Sequence, residues 1–290
     1  MKYAWIMENA DKYPKAVMFK VLGVSSSGYY DWARRKPSLR LKRRKQLGVM
    51  VEKVHAASRK IYGYRKVHKE IQALKLSCCR ETIRKIMREK GLCSKVVRPF
   101  MVTTDSGHEL PIHSNILNRD FSAQTPDQKW VGDITYIRTL EGWLYLAAVM
   151  DLYSRRIVGW AMSETIDAQL VCDAFAMARD NRGPGSGLLF HSDRGVQYAS
   201  DKFQRMLDGS GVQCSMSRKG NCWDNACMES FFGKLKTEHI GKIIYRTKAE
   251  ASQEVFWYIE VFYNRKRRHA SLGYVSPVDF EAQHGIWQTG

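Results

Sequence analysis

Three acidic residues stand out because their types and positions suit metal chemistry. Asp133 interrupts the apolar run Lys129-Trp130-Val131-Gly132-Asp133-Ile134-Thr135-Tyr136-Ile137, where a mid-strand carboxylate serves neither packing nor a turn. Asp193 lies in His191-Ser192-Asp193-Arg194-Gly195, just past a short β-prone run, where a turn aspartate is an equal alternative. Glu229 falls on a helix expected to begin near Trp223; alone it reads as a surface glutamate. Carboxylates on strands and on a helix packed over them can converge. Three hard oxygen donors suit Mg²⁺ or Mn²⁺ rather than zinc. Two such ions would activate an attacking oxygen and stabilise a leaving one in phosphodiester chemistry. The combination, rather than any single acid, defines the candidate catalytic and metal set.

Helical spacing adds neighbours. Asn225 is four residues before Glu229 and Lys236 seven after it, so all three share a face. Lys236 is placed to hold a DNA phosphate, and Asn225 to orient Glu229 or contact DNA; packing or solvation is the plain alternative for each. His191 reads as a structural strand-end histidine more readily than as a phosphate contact. Asp151 ends an apolar run before Tyr153-Ser154-Arg155 and reads as the organiser of that turn.

The elements that would position these groups follow from periodicity. Residues 129–137, 143–151 and 157–162 are short β-prone runs with tight connections, so three meandering strands are expected. A helix over 168–181, a strand over 187–191, a helix over 200–207 and a strand over 212–216 come next. Two long helices, 223–239 and 248–263, close the region. This order implies an α/β domain with a mixed five-stranded sheet over residues 126–285. Residues 101–125 read as a polar linker without a period.

Residues 1–100 read as helical throughout. Gly23 is placed to end one helix and Ser25 to cap the next, a helix-turn-helix pattern. The run Pro37 to Lys45 is a solvated basic stretch or the start of another helix. Ser77 is placed to cap a helix ending at Gly91, on which Arg80, Arg84 and Arg88 recur every four residues. That stripe reads equally as a major-groove face or as an ordinary exposed one. Residues 1–100 hold 26 Lys and Arg against 7 Asp and Glu, whereas the remainder holds 21 against 22. Charge so segregated points to a polyanion partner for the front region, double-stranded DNA above all. A second basic run, Asn264-Arg265-Lys266-Arg267-Arg268-His269, is read as a DNA grip through Arg265, Arg267 and Arg268.

At this point the chain resembles a known family. The order Asp133, Asp193, Glu229, with 35 residues between the last two, matches the D,D-35-E pattern of retroviral integrases and insertion-sequence transposases. The likeness is to the second-reading-frame (OrfB) transposases of the IS-three family. It is carried by WVGDITYI, DLYSRRIVGW from Asp151, HSDRGVQY, SRKGNCWDNACMESFFGKLKTE, YNRKRRHASLGYVSPVDF from Tyr263 and YGYRKVHKEI from Tyr62. The resemblance implies a ribonuclease-H-like integrase catalytic core preceded by an all-α helix-turn-helix DNA-binding region. It implies metal-dependent 3′-end cleavage by water, then strand transfer by the freed 3′-hydroxyl, with no covalent protein intermediate. It also implies a homo-oligomer on DNA and an upstream-frame fusion partner. With no sustained leucine heptad, the chain reads as the catalytic portion of a longer transposase.

Several classes are excluded. The longest mostly apolar stretch, residues 143–150, falls far short of the roughly 20 residues of a spanning helix, so no membrane role is expected. The residues 1–20 mix charges among apolar positions and read as no signal peptide, so a soluble cytosolic protein is expected, and the family resemblance implies a bacterial cytoplasm, at the nucleoid. Seven cysteines without a Cys-x-x-Cys pair argue against a disulfide framework or a zinc module. Two other readings stand beside the transposase: a DNA-binding regulator with an inactive integrase-like core, disfavoured by the intact acid set, and a nuclease of the ribonuclease H type, disfavoured by the basic front region.

Overall fold

The computed structural model describes residues 1–94, 113–218, 222–241 and 243–285. The front of the chain is helical, as expected. Helices α1 (Lys2–Glu8), α2 (Lys15–Leu22) and α3 (Ser26–Arg34) gather around Ile6, Met18 and Tyr29. Gly23 ends α2 in the left-handed region at φ 60°, which glycine adopts without steric penalty. The Ser25 hydroxyl accepts the Gly28 amide at 3.1 Å and starts α3. The basic run from Pro37 resolves as the beginning of α4 (Leu39–Ala57), capped by Ser38. Helices α5 (Tyr64–Ala73) and α6 (Arg80–Glu89) complete the region. The expected cap at Ser77 is corrected: α6 starts three residues later, behind Cys79. The Ser77 carbonyl instead accepts a hydrogen bond from Arg43 at 2.7 Å.

Five strands form one mixed sheet in the order β3-β2-β1-β4-β5. Strands β1 (Lys129–Thr139), β2 (Gly142–Asp151) and β3 (Ile157–Ser163) form the antiparallel meander. Helix α7 (Ala168–Arg182) leads to β4 (Leu189–Ser192), which pairs parallel with β1. Short α8 (Val196–Ala199) and α9 (Asp201–Gly209) precede β5 (Gln213–Met216), parallel to β4. A 3₁₀ turn (Cys222–Asn225), α10 (Ala226–Leu235) and a π-helical stretch (Lys236–Ile240) follow. Then α11 (Lys248–Phe256), a second π stretch (Trp257–Tyr263) and α12 (Pro277–Gln283) end the domain.

Each sheet face is covered. On one, Trp130, Phe175, Phe190 and Phe203 pack beneath α7 and α9. Here Gly159 lets α7 approach, since a Cβ at that position would lie 2.3 Å from the Ala174 carbonyl oxygen. On the other, Val131, Ala148 and Met150 meet Met228, Phe231, Phe232 and Leu235 of α10 and Ile259 and Phe262 beyond α11.

That second cluster also takes in Val51, Tyr62, Val67 and Ile71, so α4 and α5 share an apolar core with the α/β domain. Polar ties reinforce the junction. Arg268 makes a two-pronged contact with Glu70 at 2.7 and 3.0 Å, and Arg59 meets Glu254 at 3.0 Å while lying 3.5 Å over the Trp257 ring. The first part of the expected linker, 101–112, lies outside the described residues. Its remainder is not loose: Leu117 is buried, and the Ile116 and Leu117 amides donate to Ser215 Oγ. Buried amides need partners, and the edge at β5 supplies them.

Candidate active site

The parallel register of β1 and β4 places Val131 opposite His191, so Asp133 and Asp193 stand at the same height, two residues further along. Asp133 Oδ1 accepts the amide of Ile134 at 2.8 Å. Asp193 Oδ1 accepts the amide of Gly195 at 2.9 Å, which turns the chain into α8. The turn role and a ligand role are thus compatible, because a carboxylate has several lone pairs. Glu229 projects from the first turn of α10, which packs against β1. Burial holds the Asp133 carboxyl well above the usual range, the charge of Asp193 adds to this, and Glu229 adds further; Lys236 opposes. Burial also raises Glu229.

Two neighbours fix this geometry. Asn225 is buried and its Nδ2 donates to the Gly132 carbonyl at 3.1 Å, tying the start of α10 to the strand residue beside Asp133. The expectation of a DNA contact at Asn225 is corrected, since its amide is spent on the backbone. Its Oδ1 is buried without a hydrogen-bond partner among the described residues. Lys236 Nζ lies 4.5 Å over the Tyr136 ring; burial lowers its pKa and Asp133 raises it. On the opposite face of β1 Gly132 lets Phe190 approach the strand, because a Cβ there would lie 2.6 Å from its ring.

Other expected residues take different places. His191 is buried between Ser215 Oγ at 2.8 Å and Ser217 Oγ at 3.1 Å, and burial pushes it down to about 4, so it is a neutral structural group. Asp151 is fully buried and accepts from the amide and hydroxyl of Ser154, organising the expected turn; burial pushes it up to about 6. Arg80, Arg84 and Arg88 are exposed on α6, with Arg84 3.4 Å from Glu81. Arg265 is exposed.

The basic tail is corrected at two positions. Arg267 is buried and chelates Glu238 at 2.7 and 2.5 Å, and Arg268 is committed to Glu70. The tail folds back onto the core here, so Arg267 answers the buried carboxylate of Glu238 and Arg268 the half-buried one of Glu70.

Two features escaped sequence reading. Asp224 is fully buried and holds Arg218 at 2.8 and 3.0 Å, Arg119 at 2.9 Å and Asn115 at 2.9 Å; these partners keep its carboxyl far below the usual range. It thereby fixes the turn that delivers α10. Beside it Trp223 stays 69% exposed, unusual for so large an apolar side chain.

The oxygen donors Asp133, Asp193 and Glu229 fit a hard divalent cation in kind, and their mutual repulsion is what such a charge would relieve. Among the described residues, however, no three acidic, His or Cys side chains already close around one point.

Comparison with known proteins adds an independent line. Residues 123–222 match one family model described as an integrase core domain, residues 210–277 match a second with the same description, and residues 42–100 match an HTH-like domain. The chain is 41% identical over 283 residues to the Escherichia coli K12 transposase InsF for insertion sequence IS3A, covering 97% of this chain and 98% of that protein. It is likewise 41% identical over 267 residues to an uncharacterized 31 kDa protein of insertion element IS600 from Shigella sonnei, covering 92% and 98%. Among solved structures it is similar to a simian T-cell lymphotropic virus intasome, with TM-score 0.46, 16% identity, and 79% and 73% of the two chains covered. It is also similar to the HTLV-2 integrase catalytic core in complex with magnesium, with TM-score 0.43, 15% identity, and 55% and 99% covered.

Proposed function

Because the chain belongs to the transposases of IS3-type insertion sequences, we propose that it cuts and joins its element's DNA ends through Asp133, Asp193 and Glu229 with Mg²⁺ or Mn²⁺. The protein is a transposase with an integrase core and a helix-turn-helix-like region. The observation that carries the assignment is the placement of Asp133 and Asp193 level on the adjacent strands β1 and β4, with Glu229 in the first turn of α10, which packs against β1. Half-buried carboxylates crowded in this way destabilise one another unless a cation joins them.

In the first step water attacks a phosphorus at the transposon end, breaking the bond to the 3′-oxygen, which leaves as a hydroxyl. In the second, that 3′-hydroxyl attacks a target phosphodiester and displaces its 3′-oxygen, so bonds exchange without oxidation or reduction. The metal, when bound, supplies positive charge that favours the attacking and leaving oxygens in their ionised forms. The chain's residues do the rest. Asn225 holds α10 against β1, so that Glu229 keeps its position relative to Asp133. Lys236 places a cation beside Asp133 that suits a DNA phosphate. Gly195 fixes the rotamer of Asp193 through its amide.

Residues 1–100 serve as the DNA-binding region, 101–125 as its connection and 126–285 as the catalytic core. Arg80, Arg84 and Arg88 on the exposed face of α6, with Arg265 on the core, are the phosphate contacts we assign. Synapsis of two ends requires at least two protomers on the DNA, which is the chromosome of a bacterial cytoplasm. No described helix is long and apolar enough to cross a membrane. Incubating the protein with a labelled duplex of the element's ends and Mn²⁺ tests the assignment. Strand joining by the wild type and none by Asp193→Asn is expected; joining by both removes Asp193 from the site. Running the assay with and without the upstream reading frame fused tests the fusion partner.

A further inference from the structure

A second charged site lies on a different face of α10. Ala226, Cys227, Ser230, Phe231 and Lys234 form one wall of a cavity of about 470 Å³, whereas Glu229 points elsewhere around the helix. Lys66 of α5 closes the cavity from the helix-turn-helix-like region, and Arg155 closes it from the turn after β2. Arg267, His269 and Ser271 enter from the tail.

Four cationic side chains thus share one cavity, and none of its lining residues is acidic among those described. Among the described residues only Arg267 is answered directly, by Glu238. Arg155 donates to neutral acceptors, the Phe121 carbonyl at 3.1 Å and Cys227 Sγ at 2.7 Å. Lys234 Nζ donates to Ser230 Oγ at 2.8 Å, and Lys66 Nζ lies 5.1 Å over the Tyr62 ring. Burial and then the charge of Arg267 push Lys66 down to about 7 and Lys234 down to about 8, with Glu238 opposing in both cases. Burial and the surrounding cations push His269 down to about 3, so it stays neutral. Gathering four cations around the single carboxylate of Glu238 costs stability, and an anion with several oxygens would reverse that cost.

We propose that this cavity binds a phosphate group, held by Lys66, Arg155 and Lys234 with the hydroxyls of Ser230 and Ser271. One anion would then join the helix-turn-helix-like region to the catalytic core, since Lys66 comes from the former and the other contacts from the latter. The site stands independently of the carboxylate assignment. Its chemistry is that of a phosphate, whether free or part of a DNA backbone.

The test uses the full chain, an amine-acylating reagent at fixed pH, and mass spectrometry of the lysine-containing peptides. Replacing chloride by inorganic phosphate at constant ionic strength should slow acylation of Lys66 and Lys234 several-fold and leave exposed Lys12 unchanged. Protection by phosphate identifies a free anion. Protection only by a short duplex unrelated to the element identifies backbone phosphate. In either case the protection should vanish in Arg155→Gln. Protection by neither ligand, or protection undiminished in that variant, overturns the proposal. Lys234→Met gives a second reading should Arg155→Gln not fold. With one crowded cation removed, it should melt higher than wild type without phosphate and show no further rise with it. A phosphate-induced rise as large as that of the wild type would also overturn the proposal.

Discussion

Replacing Asp133 by Asn should make the metal-free protein more stable while abolishing strand joining. The side chain keeps its shape and its Oδ1 keeps the Ile134 amide, so the substitution removes charge and little else. Asp133 and Asp193 stand level on adjacent strands. Two unit charges about 5 Å apart, the lateral spacing of neighbouring strands, repel by roughly 3 kcal/mol at an effective dielectric of about 20. Solvent at the half-buried rim and the charge of Lys236 reduce this, which leaves about 1–3 kcal/mol of relief. For a chain of this size that corresponds to a rise in Tm of roughly 2–5 °C, measured by thermal denaturation in EDTA. The sign also fixes a pH dependence. The folded pKa of Asp133 lies above its unfolded value, so its ionisation penalises the wild-type fold at high pH. The advantage of the variant should therefore be full above the folded pKa and shrink as pH falls toward the unfolded value of about 3.9. Saturating Mg²⁺ should raise the wild-type Tm and leave the variant nearly unmoved, since only the wild type offers the full donor set. A variant no more stable than wild type in EDTA at pH 8, or an advantage unchanged down to pH 5, would refute the reasoning.

Arg267→Ala should lower stability by about 3–5 kcal/mol in urea melts, because it leaves Glu238 buried without its guanidinium. Arg265→Ala, at an exposed position, should instead weaken duplex binding without changing the melt; the opposite pattern would return Arg267 to the DNA surface. Asn225→Ala should cost about 1 kcal/mol for the lost bond to Gly132 and slow strand joining while end-binding affinity holds, as read by joining kinetics beside a binding titration. Arg84→Ala should reduce by about one the slope of log affinity against log salt, uniformly across DNA sequences; an unchanged slope would make that arginine a solvated surface residue.

The carboxylate order was legible because each acid violates, or is framed by, a local pattern. Asp133 breaks a strand, Asp193 follows one, and the apolar spacing around Met228, Phe231, Phe232 and Leu235 marks a helix whose one face buries them. Caps behaved likewise wherever the signal was contained within a few residues, as at Gly23 and Ser25. Long-range charge was not legible. The run from Asn264 to His269 looks uniformly basic, yet Arg267 answers Glu238 and Arg268 answers Glu70, 198 residues away in sequence. Asp224 escaped notice for the same reason, since Asn115 and Arg119 reach it across more than 100 residues. Ser77 failed differently: a hydroxyl is only a potential cap, and α6 begins three residues beyond it.

The two faces of α10 share one physical logic with opposite signs. Around Glu229 carboxylates crowd, and around Lys234 cations crowd, so the helix sits between two charge deficits. Apolar packing through Met228, Phe231, Phe232 and Leu235 holds it there, and Asn225 and Asp224 anchor its start. Under the proposed function each deficit would be relieved by what the reaction brings, a divalent cation on one side and a phosphate on the other. Stability surrendered in the unliganded protein would thereby be returned on assembly with metal and DNA, coupling the folding energy of this one helix to the presence of substrate. The docking of α5 onto the tail extends that coupling. Because Lys66 reaches the same cavity as Lys234, a phosphate bound there would tie the helix-turn-helix-like region to the helix that carries Glu229, the proposed catalytic glutamate.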